Sequence, residues 1–338
     1  MKVRIFLLVA GMVFLAQGVQ ANCLRTEGLK GVNLAGAEFN AAAMPGVVNR
    51  DYVYPSAEEF AYFSRQGMNT IRLPFLWERI QSRLYGALEP AELAQLKIAV
   101  DRAQANKMCL ILDLHSYGAY RGDPIGSKAV DVRAFMDVWE KLALAFPEPE
   151  RVALGLSNEP HTLPIAQWAN IAQLTVNRLR ALNSRHLILV AGGRWSGVHE
   201  WHQVFDGSSN ASSFANLHDP LRRTVIEVHQ YADTNFSGTG NTCLPPDRFQ
   251  AMFKSIHDWA AQHHQQLFLG EFGTPRDASC LAALDAMMSH TTHRPVWRGW
   301  TYWAAGAWWG DYPLSISPRN GDDAPQLAVL RKYLSDAR

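Results

Sequence analysis

The sequence predicts a single (β/α)8 barrel, an α/β fold. Three observations carry this expectation: eight short apolar runs recur along the chain, longer amphipathic stretches alternate with them, and no linker rich in Ser, Thr, Pro or Gly breaks the alternation. The runs cover residues 31–35, 70–75, 109–115, 152–158, 186–191, 225–231, 267–272 and 299–304. They are mostly apolar on both faces, as the strands of a parallel sheet clothed by helices must be. Helical periodicity follows the runs at 57–66, 91–106, 130–146, 164–182, 247–263 and 277–290, and a last helix is expected at 325–334. Only the connection after the fifth run, 192–224, lacks a clear helical pattern. The 11 Trp, 10 Tyr and 15 Phe among 338 residues supply apolar surface for one large core.

Residues 1–21 read as a signal peptide: Lys2 and Arg4 precede an uncharged apolar run that closes on Val19-Gln20-Ala21. Residues 22–338 then form the one barrel domain, secreted to the periplasm or the exterior and not anchored in a membrane. Removing Lys2 and Arg4 takes the formal charge from +1 to −1, so nucleic acid and anionic membranes are not expected partners and the substrate should be neutral. An exported chain can form disulfides. Cys243 and Cys280 lie in polar, turn-rich segments and are expected to pair. Cys109 lies inside an apolar run, where a free buried thiol competes with a bridge to Cys23.

Polar residues stand where eight parallel strands would end together: Arg72, His115, Asn158, Glu159, His229, Tyr231, Glu271 and Trp303. Taken singly, each could be a satisfied core side chain. Packing alone would ask for Val, Ile or Leu at such positions, so their shared placement points to a site. Glu159 and Glu271 end apolar runs 112 residues apart, in Ser157-Asn158-Glu159-Pro160 and Gly270-Glu271-Phe272-Gly273. Two carboxyls in one cleft, one protonated and one ionised, are what a retaining glycosidase needs.

The ordered segments Ile71-Arg72-Leu73-Pro74, Asp113-Leu114-His115-Ser116-Tyr117, Asn158-Glu159-Pro160, His229-Gln230-Tyr231, Gly270-Glu271-Phe272-Gly273 and Tyr302-Trp303 resemble glycoside hydrolase family 5. Gly31-Val32-Asn33-Leu34-Ala35-Gly36 and the stretch 303–318 are similar to its subfamily 5 endoglucanases. The resemblance implies Glu159 as acid/base and Glu271 as nucleophile. Arg72 and the Tyr231 hydroxyl are then expected to keep Glu271 ionised, and burial beside Glu271 to keep Glu159 protonated. Asn158 would donate to a sugar 2-hydroxyl, His115 and His229 would serve as rim donors, and Trp303 would offer a stacking face. Trp195 and Trp308, with Tyr117, are expected to extend that platform, while Trp77 and Trp309 are as readily explained by packing.

No cofactor or metal is expected. His199-x-x-His202 and His263-His264 have no acidic or cysteine partner at ligand spacing, and neither a phosphate-binding glycine loop nor a Gly-x-Ser-x-Gly elbow is present. The resemblance implies an endo-β-1,4-glucanase acting on β-glucan chains, and a monomer is expected. A β-mannanase, a mixed-linkage β-glucanase and a transglycosylating β-glycanase share the same fold and carboxyl pair. A non-catalytic polysaccharide-binding barrel would have no use for that pair.

Overall fold

The computed structural model describes residues 22–24, 28–293 and 295–334; the expected signal peptide lies outside them. Eight parallel strands close into a barrel: β1 Leu29–Leu34, β2 Thr70–Phe75, β3 Cys109–Leu114, β4 Val152–Gly155, β5 Ile188–Ala191, β6 Thr224–Tyr231, β7 Leu267–Gly273 and β8 Trp297–Ala305. Each pairs with its neighbours in sequence, and β8 closes against β1. The helices on the outside are α1 Ala57–Arg65, α2 Trp77–Ile80, α3 Pro90–Ala105, α4 Val132–Ala145, α5 Ile165–Ala181, α6 Asn210–Phe214, α7 Asp247–Gln262, α8 Ala278–His290 and α9 Pro325–Leu330. Local chemistry starts several of them. Ser56 and Glu59 form a reciprocal capping box on α1, and the carboxylates of Asp131 and Asp277 cap α4 and α8.

The connection after β5 does contain a helix, the five-residue α6, too short for its periodicity to register in the sequence. The β4 ladder stops at Gly155, so Asn158 and Glu159 sit on the loop beyond it. Glu159 has φ of +34°, a conformation uncommon for a residue with a Cβ and one that recurs at functional sites.

The barrel interior changes character along its axis. At the end where the strands begin, Leu29, Cys109, Ile111, Ala153, Leu187, Leu189, Val225 and Phe268 form an apolar plug. Toward the other end the inward positions become Asn33, Arg72, Asp113, Glu227, His229 and Glu271, all at most 3% exposed. The larger apolar cluster lies between strands and helices, and it holds the fold while leaving one end of the barrel for polar chemistry.

Both cysteine pairs are bridged. Cys243–Cys280 ties the loop after β6 to the start of α8, as expected. Cys23–Cys109 replaces the alternative of a free thiol at Cys109: Cys23 is buried against the apolar plug, its amide donating to the Glu150 carbonyl at 2.8 Å, and this fastens the N-terminal segment beneath the barrel. Thiol titration in denaturant is expected to find no free thiol. The Cys23→Ser/Cys109→Ser variant should lose about 2–5 kcal/mol of stability, read as a lower urea midpoint. Two or more titratable thiols in the unreduced protein would contradict the bridges.

Candidate active site

Strand periodicity assembles the site. On β6, Glu227, His229 and Tyr231 follow one another at every second position and so share the inward face. Asp113 and His115 do the same at the end of β3. Strand β7 departs from simple alternation. Val228 pairs with Leu269 but His229 pairs with Glu271, so Gly270 is an extra residue in the register. The slip turns Glu271 inward, where strict alternation after Phe268 would have turned it out. Gly270 is required there because a Cβ would lie 2.0 Å from Glu227 Oε1. Its carbonyl accepts from Asn33 Nδ2 at 2.9 Å and from Thr301 Oγ1 at 2.7 Å.

Arg72, fully buried, is the hub of the cluster. Its Nε lies 2.8 Å from Glu227 Oε1, its Nη1 donates to Asn33 Oδ1 and Glu271 Oε1 at 2.8 Å each, and its Nη2 meets Asn158 Oδ1 at 2.9 Å and Asp113 Oδ1 at 3.1 Å. Tyr231 donates its hydroxyl to Glu271 Oε2 at 2.9 Å. His229 bridges three acids: Nδ1 lies 2.7 Å from Glu159 Oε1 and 3.7 Å from Glu271 Oε2, and Nε2 lies 3.2 Å from Glu227 Oε1. His115 holds Asp113 through Nδ1 at 2.7 Å and reaches Asn158 Nδ2 and the Tyr117 hydroxyl with Nε2.

The two rim glutamates are pushed in opposite directions. Burial works against the charge of Glu271, but His229, Arg72, His115 and the Tyr231 hydroxyl together hold its pKa below the usual carboxylate value. Burial also dominates at Glu159. There His229 is the main group favouring the anion, and the charge of Glu271 opposes it, so the pKa of Glu159 is raised. His229 itself resists burial through its three carboxylate neighbours, which lift it to about 10. The arrangement therefore drives the two carboxyls of one cleft apart, Glu271 toward the anion and Glu159 toward the acid.

The cleft has two lobes. One, of about 540 Å3, is lined by Glu159, Glu271, Tyr231, Trp195, Phe236 and Tyr312 among others; the second, of about 780 Å3, by Glu38, Phe39, Asn40, Glu78, Arg121 and His161 among others. His115, Tyr117, Trp303 and Trp309 border both. Trp303 stacks on His115 at 5.6 Å between ring centroids, and Trp195, which borders the first lobe, stacks on His161 at 3.9 Å. Trp308 is exposed but borders neither lobe; the adjacent Trp309 takes that place. Trp77 is wholly buried against Tyr120 and Phe135, so it packs rather than faces the cleft. The pair His263-His264 borders a separate hollow at the opposite end of the barrel, beside the starts of β6 and β7.

Sequence reading assigned no role to Asp113, Glu227, Asn33 or Glu38. A signal existed for the first two, since each lies two residues before a rim histidine on the same strand face. Glu38 comes from the loop after β1, and burial pushes its carboxyl up to about 7. Ligand atoms of Glu159, His229 and Glu271 lie within 4.8 Å of one another, close enough to hold a metal ion. An ion there would have to displace the His229 proton and would occupy the space between the two carboxyls.

The sequence profile of the cellulase family, glycosyl hydrolase family 5, matches residues 32–307. Endo-beta-1,4-glucanase B of Aspergillus niger is 30% identical over 307 residues, 90% of this chain and 89% of the relative. Among solved structures, the endo-beta-1,4-glucanase Xac0029 from Xanthomonas axonopodis pv. citri superposes with a TM-score of 0.89 at 42% identity, covering 91% of this chain and 98% of that one. XacCel5A in complex with cellopentaose gives 0.88 at 44% identity, over 90% of this chain and 99% of that one.

Two variants test the electrostatics. Tyr231→Phe removes a donor to ionised Glu271, which raises that carboxyl's pKa, so the acidic limb of the pH–rate profile should move to higher pH. An unmoved acidic limb would disconnect Tyr231 from the group that titrates there. Arg72→Met leaves Asp113, Glu227 and Glu271 buried without their shared cation and should cost about 3–5 kcal/mol in urea unfolding.

Proposed function

We propose that this chain, which belongs to glycoside hydrolase family 5, is an exported endo-β-1,4-glucanase that hydrolyses internal glucosidic bonds with retention of configuration, Glu159 acting as acid/base and Glu271 as nucleophile. The single observation that carries the reading is the pair of rim carboxyls: oxygen atoms of the two lie within 4.8 Å, and their pKa values are driven apart. Carboxyls about 5–5.5 Å apart suit double displacement, whereas inversion needs about 6.5–9.5 Å to admit a water between acid and base.

The charges follow the reaction. Three carboxylates, Asp113, Glu227 and Glu271, share Arg72. Glu159 pairs only with His229, which it shares with two of the others, and burial together with the charge of Glu271 raises its pKa, which suits it to give a proton to the departing glycosidic oxygen. Glu271 attacks the anomeric carbon and loses its charge in the glycosyl-enzyme ester. Burial still favours the proton on Glu159, but the repulsion that added to it disappears, so Glu159, left ionised by the first step, can take a proton from the water that releases the sugar. Asn158, fixed by Arg72 through its Oδ1 and by His115 through one Nδ2 proton, has the second Nδ2 proton to offer the sugar 2-hydroxyl. Trp303, Trp309, Tyr117 and Trp195 provide flat apolar surface for sugar faces along both lobes.

The endoglucanase names of the relatives and the cellopentaose bound by XacCel5A support a β-1,4-glucan as substrate. The two disulfides suit an oxidising compartment, consistent with a signal peptide at 1–21. No helix among the described residues is long and apolar enough to cross a membrane.

The test is hydrolysis of carboxymethyl cellulose, barley β-glucan and galactomannan in parallel, following viscosity and reducing ends. A rapid fall in viscosity on the cellulose derivative is expected; action on galactomannan alone would replace the substrate class. Glu159→Gln and Glu271→Gln should fold normally and lose about 10²–10⁴-fold or more in kcat, and a tenth of the activity surviving in either would break the assignment. The first product anomer, seen by NMR, should be β; an α product would exclude double displacement. The pH profile should be a bell, with an acidic limb from Glu271 below the usual carboxylate range and an alkaline limb from the raised Glu159.

A further inference from the structure

The second lobe of the cleft is built by a stretch without regular structure, residues 35–56, that supplies Glu38, Phe39, Asn40, Ala41 and Met44 to its wall. Such a segment needs partners for its backbone, and one side chain gives four. Arg79, on α2 and 2% exposed, donates from Nη1 to the Ala37 carbonyl at 2.7 Å, from Nη2 to Phe39 at 2.7 Å and Asn40 at 3.0 Å, and from Nε to Pro45 at 3.2 Å. Its guanidinium lies over the Tyr52 ring at 3.8 Å. The Tyr52 and Tyr54 hydroxyls both donate to Glu92 on α3, which anchors the far end of the loop. Phe39 in turn meets Trp309 edge-on at 5.0 Å, and Trp309 meets Trp303 at 5.8 Å. A continuous line of contacts therefore runs from Arg79 through the loop to the aromatic wall common to both lobes.

We propose that Arg79 is a positioning residue for polysaccharide binding: by gathering the carbonyls of Ala37, Phe39, Asn40 and Pro45 it sets the shape of the second lobe, and with it the enzyme's hold on long glucan chains. Arg79 lines neither lobe, so it acts only through the loop. Among the described residues its hydrogen bonds reach neither Glu159 nor Glu271, so the chemical step should be indifferent to it. Lysine keeps the charge but has no planar fork with which to gather four carbonyls.

The inference rests on the endoglucanase reading, and cellopentaose is the probe. In Arg79→Lys, KM for cellopentaose should rise about tenfold while kcat stays within about twofold, the pattern of lost binding shared by ground and transition states. A fall in kcat at unchanged KM, or no change in either, would overturn it. Phe39→Ala alters the lobe without touching Arg79 and should raise the same KM; the double variant should be no worse than Arg79→Lys alone, and additive losses would overturn the coupling. Should Arg79→Lys not fold, Tyr52→Leu, which removes the ring beneath the guanidinium, must show the KM effect or the proposal fails. Inertness of the unmodified protein toward cellopentaose would instead sink the endoglucanase reading and this inference with it.

Discussion

A guanidinium with no access to water sits in the middle of the barrel, and everything at the rim is arranged around it. An isolated buried cation would be prohibitively unfavourable. Arg72 is tolerated because Asp113, Glu227 and Glu271 face it from three strands and Asn33 and Asn158 accept its remaining protons. The dependence is mutual, since each carboxylate would be as costly without Arg72. The cluster ties five segments to β2 in one register. It explains why the extra residue in β7 must be glycine and why Glu271 meets the cleft as an anion.

Glu159 owes its different state to its distance from that hub. It stands past the end of β4, on a backbone with positive φ, and its ionic partner is a histidine already claimed by two other acids. Two residues of one chemical type are thus pushed in opposite directions through unequal access to the same few positive charges. Because Glu271 is itself one of the charges acting on Glu159, a change at one carboxyl is felt at the other.

The molecule also separates its functions in space. The apolar plug and the Cys23–Cys109 bridge lie at one end of the barrel, and the polar cluster at the other. Between strands and helices the large apolar cluster carries stability, which leaves the rim free to hold buried charge. The cleft walls come from loops instead, and the loop after β1 is ordered by side chains of α2 and α3 in the absence of secondary structure of its own. Most of the polar cluster thus stands on strands, while much of the second lobe's wall stands on loops.

The eight strands, most helices, the rim glutamates and the residues Arg72, His115, Asn158, His229, Tyr231 and Trp303 were legible in the chain because strand alternation and the apolar-to-polar change at strand ends are local properties of sequence. The five-residue α6 was not, being shorter than the window over which helical periodicity can be read. Trp308 and Trp309 could not be told apart, because adjacent residues on an irregular loop have no period to fix which one faces the cleft. Asp113 and Glu227 sat in plain view on the right strand face, yet their importance depends on meeting Arg72 from other strands. Glu38 and Arg79 matter only through contacts across the fold. Sequence by itself determined the barrel and the chemical type at each rim position. Tertiary structure alone decided which charges share a partner, and protonation follows from that sharing because a buried charge is governed by whatever lies within a few ångströms, however distant in the chain.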